Sequence, residues 1–204
     1  MLSAVFILWT LRLRHIPRPQ PWYYIALAAT FLVDNSCAFM AMRGIANTWL
    51  YNMYLPVQFA LLAVFAQRIR PGIWPLALCI GAIMVYATLL WSESRGSVNA
   101  ETLFSRSLLF AWGYLTVIFT WSLVLLADRT EGMLWRDQRF WLYLSIVVFF
   151  GVALPFVGSI NKVNATNPGL ADRLFYIVDA LYFLSYAMVG VAGWLLGPPS
   201  LERT

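Results

Sequence analysis

Six long apolar segments limit what this chain can fold into. A helix needs about 20 apolar residues to cross the hydrocarbon core of a bilayer, which is roughly 30 Å thick. Hydrophobic residues make up 61% of the chain and charged residues only 11%, which is too little charge to cover a water-soluble surface. The segments do not alternate apolar and polar residues as the strands of a membrane barrel do. They therefore predict an all-α, polytopic transmembrane helix bundle. They are residues 22–42, 48–66, 73–91, 107–127, 140–160 and 174–196.

The N-terminal stretch MLSAVFILWTLRLRH is a seventh candidate span with a short apolar part. The stems of Arg12 and Arg14 can lengthen that part by extending their charged ends to the interface. We expect a short first span; the alternatives are a start further upstream and a helix that lies along the interface. The loops between the segments are too short to fold independently. Residues 1–204 are therefore predicted to form a single transmembrane domain.

The distribution of basic residues predicts the orientation, because cytoplasmic loops carry an excess of Lys and Arg. With seven spans, nine basic residues fall on one side of the membrane and five on the other. This predicts an N-out, C-in topology. Most of these residues are single arginines between apolar runs, which indicates membrane lipid and not nucleic acid as the partner. The predicted cytoplasmic set is Arg12, Arg14, Arg18, Arg68, Arg70, Arg129, Arg136, Arg139 and Arg203, and the outer set is Arg43, Arg95, Arg106, Lys162 and Arg173.

Two segments, NTWLYNMYLPVQF (47–59) and QRFWLYLSIVVFFGVALPF (138–156), begin spans with a Leu-Tyr-x-x-Tyr pattern and a Phe-Trp pair. Ser105 and Arg106 stand at the start of the fifth span. In these features the chain resembles a loose group of uncharacterised small seven-helix bacterial membrane proteins. The resemblance implies seven spans and a bacterial cell inner membrane, and it implies no activity. Where that group often has an acid, this chain has Gln58, so acid-based chemistry at that position is not implied.

The residue types that are scarce in this chain exclude several classes of membrane protein. The single histidine, His15, is predicted in a loop, which excludes a histidine-ligated haem, a three-histidine zinc site and an intramembrane Ser–His dyad. No cofactor or metal is expected. The single lysine, Lys162, also falls in a loop, which excludes a retinal Schiff base. Two aspartates in spans, Asp34 and Asp179, are compatible with an acid pair that activates water, but neither follows the Gly-x-Gly of intramembrane aspartyl proteases. An aspartyl-type hydrolase is therefore the least favoured class.

The two acids inside spans predict a site in the outer half of the bundle. An ionised aspartate at mid-span costs about 2.5–3.5 kcal/mol on insertion scales, so it turns inward and finds a partner. At about 1.5 Å per residue, Asp34 and Asp179 reach nearly the same depth. Polar and aromatic residues accumulate at that level, as in a small-molecule pocket. The predicted ligand-binding residues are Asp34, Asn35, Asn52, Gln58, Arg106, Asp179, Tyr182 and Tyr186.

Helix-breaking residues are expected to make room for this pocket. Pro56 and Pro155 lie inside spans three and six, where each removes a helical hydrogen bond and can bend the helix. Gly190 and Gly193 are expected to allow close helix packing. On span seven, helical spacing predicts one face directed at the pocket. That face comprises Tyr176, Asp179, Tyr182, Phe183 and Tyr186.

Different functions are compatible with such a pocket. A receptor-like or sensory module would bind a small molecule or ion there and signal through a partner protein. A small transporter or channel would use Asp34 and Asp179 for proton or cation coupling and would need a polar path to the cytoplasmic side. The inner halves of the spans are almost wholly apolar, which favours the binding module. A purely structural alternative locks Asp34 to Asn52 or Arg106.

Overall fold

The computed structural model describes residues 1–17, 20–96, 104–130 and 132–196, which are helical almost throughout. No strand occurs among them. The α-helices are α1 (Leu2–Leu11), α2 (Pro21–Met42), α3 (Thr48–Ile69), α4 (Ile73–Gly96), α5 (Ser105–Arg129), α6 (Gln138–Ile146), α7 (Val152–Thr166) and α8 (Pro168–Trp194). A π-helical turn, Val147–Gly151, joins α6 to α7, and 3-10 turns cover Leu13–His15 and Leu134–Arg136.

Within the described residues, six helices are long and apolar enough to cross a membrane. Many large apolar side chains on them point outward; Leu32, Met53 and Val117 are each about two-thirds exposed. A soluble protein rarely exposes so much contiguous apolar surface. The structure is therefore that of a multi-pass membrane protein, and the predicted all-helical bundle is confirmed with six candidate spans. These are Pro21–Met42, Thr48–Ile69, Ile73–Ser94, Ser105–Arg129, Gln138–Phe156 and Gly169–Trp194.

The N-terminal stretch forms a helix of 10 residues, α1. At 1.5 Å per residue it is about 15 Å long, half the thickness of a hydrocarbon core. It packs against the C-terminal half of α8, where the fully buried Trp9 donates its indole N–H to the carbonyl oxygen of Val189 at 3.1 Å. α1 is thus a part of the bundle, and a seventh complete span stays a prediction.

Arg12, just after α1, binds the C-terminal end of α8. Its guanidinium donates to the carbonyl oxygens of Gly193, Trp194 and Leu196 at 3.3, 2.5 and 2.8 Å. The last carbonyls of a helix have no donor within the helix, and a cation there also interacts favourably with the helix dipole. Arg12, which the sequence presents as a topology determinant, therefore also holds the end of α8. Two other arginines of the orientation argument, Arg18 and Arg203, lie outside the described residues.

The two prolines lie inside helices, and one of them follows an irregular turn. Pro56 is inside α3 and Pro155 inside α7. Because Pro155 has no N–H, the carbonyl of Gly151 loses its helical donor, and Gly151 is the last residue of the π turn. A π turn adds a residue to one helical turn and so changes the directions in which the side chains there point. Here it places Phe149 against Trp112, with ring centroids 5.5 Å apart.

Candidate functional site

A cavity of about 460 Å³ lies among α2, α3, α5, α8 and the sixth span, which comprises α6, the π turn and α7. Its volume is in the range of small-molecule sites, about 300–1,000 Å³. Two carboxylates, Asp34 and Asp179, contribute to the lining, and no arginine or lysine is among the described residues that line it. We call it the Asp34 cavity. Its aromatic wall is formed by Tyr51, Tyr54, Trp112, Phe149, Phe156, Phe175 and Tyr182.

The helical period of α2 directs Asp34 into the bundle. The buried residues of this helix include Tyr23, Leu27 and Thr30, which are three or four residues apart, and Cys37, two turns further along. Asp34 falls on the same stripe, four residues after Thr30 and three before Cys37, and it is half-buried. Its position on this stripe explains how an acid is accommodated in an apolar span.

Tyrosine hydroxyls surround the Asp34 carboxylate. Tyr182 of α8 donates a short hydrogen bond to Asp34 Oδ2, and Tyr51 of α3 approaches Oδ1 at 3.5 Å, which is a long contact. Tyr186 in turn donates to the hydroxyl oxygen of Tyr182 at 3.1 Å. Asp34 therefore links three helices, and its described partners supply hydrogen bonds without supplying a positive charge.

A second hydroxyl pair lines the Asp34 cavity. The hydroxyls of Thr30 and Tyr54 form a short hydrogen bond, and Thr30 also donates to the carbonyl oxygen of Ala26 at 2.8 Å. Gln58, one turn further along α3, lines the same cavity. Tyr51, Tyr54 and Gln58 thus share one face of α3, as their spacing predicts.

The bundle-facing side of α8 is rotated relative to the predicted face. Tyr182 and Tyr186 turn inward, but Tyr176 and Phe183 are 73% and 63% exposed. Inward positions continue at Ser185 and Val189, so the face follows the i, i+3, i+4, i+7 pattern from residue 182. The predicted face therefore overlaps the observed one only in part. Tyr182 and Tyr186 belong to both, whereas Tyr176 and Phe183 are directed to the surface.

Asp179 and Asn35 lie at the rim of the site. Asp179 is exposed, yet it lines the Asp34 cavity and also a more open cavity of about 380 Å³ beside it. Asn35 lines the more open cavity and donates to the carbonyl oxygen of Phe31 at 2.6 Å. The structure thus brings six predicted residues to two adjoining cavities. They are Asp34, Asn35, Gln58, Asp179, Tyr182 and Tyr186.

Asn52 and Arg106 are not among the residues that line these two cavities. Asn52 is buried on α3. Arg106 is exposed at the start of α5, where its backbone amide donates to Glu93 of α4 at 2.7 Å. The same carboxylate accepts from the amide of Ser107 at 3.0 Å, so Glu93 caps α5 by satisfying amides that lack helical partners. Arg106 therefore lies at a capped helix end, away from the cavity-lining set.

Three cavities follow one another along α2 and α3. On α2, Asp34 lines the first and Leu27 the second, and Gln20, just before α2, lines the third; on α3, Leu62 lines the second and Arg68 the third. The second cavity has a volume of about 50 Å³, which is room for a few water molecules. The third, which we call the Arg68 cavity, has a volume of about 550 Å³.

Four buried aromatic residues pack together between the second cavity and the Arg68 cavity. Phe65 is at their centre, with its ring centroid 5.7 Å from that of Tyr23, 5.7 Å from Phe119 and 6.4 Å from Tyr143. All four side chains are at most 8% exposed. We call Tyr23, Phe65, Phe119 and Tyr143 the aromatic layer; Tyr23 lines the second cavity, and Phe65 and Tyr143 line the Arg68 cavity.

The Asp34 cavity combines negative charge with aromatic walls. Such walls attract cations through the negative faces of their rings. Within the described part of the chain, no group of three or more His, Cys, Asp or Glu residues could hold a metal ion. Carboxylates and aromatic faces together are suited to binding a cationic ligand. Comparisons of the chain with protein-family models, with curated proteins and with solved structures found no match, so no relative supplies a ligand or a residue role.

Proposed function

We propose that this protein is a receptor-like or sensory membrane module that binds a small organic cation in the Asp34 cavity and signals through a partner protein. The observation that carries the proposal is the lining of that cavity: two carboxylates, seven aromatic residues and no basic residue among those described. Carboxylates attract any cation, whereas aromatic faces favour weakly hydrated organic ones such as quaternary ammonium groups. A small inorganic ion would leave most of the 460 Å³ unfilled.

The network around Asp34 supports a counter-ion role for this residue. Tyr182 and Tyr51 hold the carboxylate by hydroxyl groups, so its negative charge is not neutralised by a described salt bridge. The one ion pair found among the described residues joins Arg139 to Asp137, far along the chain. A ligand ammonium group at Asp34 would complete the pairing that a charge in a membrane span requires.

The proposal includes the predicted topology. With α1 as a short first span and N-out, C-in orientation in a cell inner membrane, the Asp34 cavity opens to the outside and the Arg68 cavity to the cytoplasm. The aromatic layer between them supports a binding module, since it interrupts the path along the bundle. A signal would then pass to a partner through a change in helix packing.

Calorimetry on the purified chain in detergent tests the binding step. Choline and benzyltrimethylammonium are the cationic probes, and 3,3-dimethyl-1-butanol is the neutral counterpart of choline with the same shape. We expect heat of binding with the cations and none with the alcohol. Asp34→Asn should weaken binding at least about tenfold, the effect of losing 1.4 kcal/mol.

The matched control is Asp128→Asn, which removes an exposed carboxylate that lines none of the three cavities. It should bind the cations as the unmodified chain does. Equal binding of choline and the alcohol, or equal loss in Asp34→Asn and Asp128→Asn, would refute the cation site.

The stacking of cavities along α2 and α3 favours transport as the second candidate. The aromatic layer would then act as a gate between the Asp34 cavity and the Arg68 cavity. Uptake of labelled choline into proteoliposomes distinguishes the two candidates, because a binding module retains the probe without releasing it inside. Uptake that Phe65→Ala accelerates and Asp34→Asn abolishes would favour the transporter.

A further inference from the structure

The Arg68 cavity lies where three spans end. It is bordered by Pro17 and Gln20 before α2, by Arg68 and Ile69 at the end of α3, and by the first residues of α6. The ends of membrane spans lie at the level of the lipid headgroups. This cavity of about 550 Å³ is therefore within reach both of the adjacent aqueous phase and of the phospholipid headgroups.

Two side-chain amides in this cavity have oxygens without a hydrogen-bond donor. Gln20 is 3% exposed, and its Oε1 has no partner among the described residues. Oε1 of Gln138, the first residue of α6, is likewise buried and without a described donor. Buried acceptors in proteins are nearly always satisfied, and an exception needs an explanation. A ligand that brings hydrogen-bond donors would supply it.

The charges around the cavity favour an anion. Arg139 is paired with Asp137 at 2.6 Å, and its Nε donates further hydrogen bonds to both oxygens of the same carboxylate at 3.1 Å. Arg68 also lines the cavity, and within the described part of the chain it forms no ion pair. Among the described residues, the cavity thus has the guanidinium group of Arg68 available, which suits the oxygens of a phosphate group.

We propose that the Arg68 cavity binds a phosphate ester that carries hydroxyl or ammonium donors. Its phosphate would pair with Arg68, and its donors would reach the amide oxygens of Gln20 and Gln138. Both a phospholipid headgroup, such as phosphoethanolamine or phosphoglycerol, and a soluble ester have this chemistry. The site is separate from the Asp34 cavity, so the result of its test does not depend on whether the proposed function is correct.

Native mass spectrometry of the full chain in detergent tests this site. The lipid probes are phosphatidylethanolamine and phosphatidylglycerol, and phosphatidylcholine is the reference because its headgroup has a phosphate but no N–H or O–H donor. The soluble probe is glycerophosphoethanolamine. We expect the first two lipids to be retained over phosphatidylcholine. Competition by the soluble ester at a similar affinity would identify a soluble ligand as the source and would equally support the site.

Arg68→Gln should reduce retention of the preferred ligand about tenfold, as expected for the loss of a charged hydrogen bond. The matched control is Arg136→Gln, which removes an exposed arginine near the same end of the bundle that does not line the cavity. Arg136→Gln should leave retention unchanged. A preference that is absent, or that Arg68→Gln and Arg136→Gln affect alike, overturns the proposal.

Gln20→Leu provides a variant that tests the site without endangering the fold. Removing a buried unpaired amide in favour of an apolar side chain of similar size should raise the midpoint of thermal unfolding of the ligand-free protein. The same variant should lose the preference for phosphatidylethanolamine over phosphatidylcholine. A Gln20→Leu protein that keeps this preference would show that the amide does not contact the ligand, against the proposal.

Discussion

Asp34 is accommodated because Thr30 and Cys37, on the same face of α2, are buried and its oxygens meet the hydroxyls of Tyr182 and Tyr51. Asn35, its neighbour in sequence, is directed about 100° away around the helix and satisfies its amide on the carbonyl of Phe31. The two adjacent polar residues thus have different roles. Asp34 belongs to the interior of the site, and Asn35 belongs to its rim.

The Tyr182 hydroxyl is predicted to stabilise the fold through Asp34. Tyr182→Phe leaves the carboxylate with only the long contact to Tyr51, so we expect the free energy of unfolding to fall by about 1–2 kcal/mol. Chemical unfolding in detergent, followed by circular dichroism, measures this change. The control is Tyr176→Phe, which alters a tyrosine that is 73% exposed and should have no effect. Equal losses in both variants would contradict the role of the hydroxyl.

Asp34→Asn separates binding from stability. The amide has the shape of the carboxylate and can still form hydrogen bonds with the tyrosine hydroxyls, so we expect unfolding free energy to change by less than about 1 kcal/mol. If Asp34 were a structural contact to a cation, the same change would cost about 3–5 kcal/mol. Unfolding and calorimetric titration of the same sample distinguish these outcomes, and a large loss of stability would favour the structural role.

The sequence identified the polar part of the site better than its walls. Acids and amides are rare in the spans, so Asp34, Gln58 and Asp179 stand out. Aromatic residues make up 17% of the chain, and nothing in their spacing marks Trp112 or Phe149 as wall residues. Arg106 was placed near the site by its depth alone, and depth does not specify the direction in which a side chain at the start of a helix points.

At the scale of elements, hydropathy predicted the six long spans to within a few residues at most ends. It could not predict the π turn Val147–Gly151, because hydropathy reports composition and a π turn is a change of hydrogen-bond register. It also could not predict how α1 is held. That depends on Trp9 and Arg12 meeting carbonyl groups about 180 residues later in the chain.

Gly193 is predicted to be essential for the contact between α1 and α8. A Cβ at this position would lie 2.6 Å from Nε1 of the fully buried Trp9, which has no room to move. Gly193→Ala should therefore lower the unfolding free energy by about 1–3 kcal/mol, as overpacking does.

Gly190→Ala is the matched control on the same helix. Its added Cβ would meet Val5 Cγ2 at 3.6 Å, an ordinary contact, so stability should be unchanged or slightly raised. Thermal unfolding of both variants in one detergent makes the comparison. Equal stability of the two would mean that α1 does not pack against α8 as described.

At the scale of the whole molecule, the predicted topology can be tested by cysteine labelling in intact cells. In a background without Cys37 and Cys79, an impermeant maleimide should modify Ser97→Cys and Asn164→Cys but not Gly132→Cys, because the first two are predicted outside. Gly132 and Asn164 are described by the structure, while Ser97 lies outside the described residues. Labelling of Gly132→Cys with protection of Asn164→Cys would reverse the orientation.

The aromatic layer has an electrical consequence for the two cavities that it separates. Its four rings are uncharged and buried, whereas the cavities on either side are large enough to contain ions and water. In the proposed topology, where the two cavities open to opposite sides of the membrane, the voltage would therefore fall mainly over the layer. Moving one elementary charge through the full voltage is worth about 2.3 kcal/mol per 100 mV. A cation that stops at Asp34 crosses little of this field, so its affinity should hardly respond to membrane potential, while one that passed Phe65 would be driven by nearly all of it.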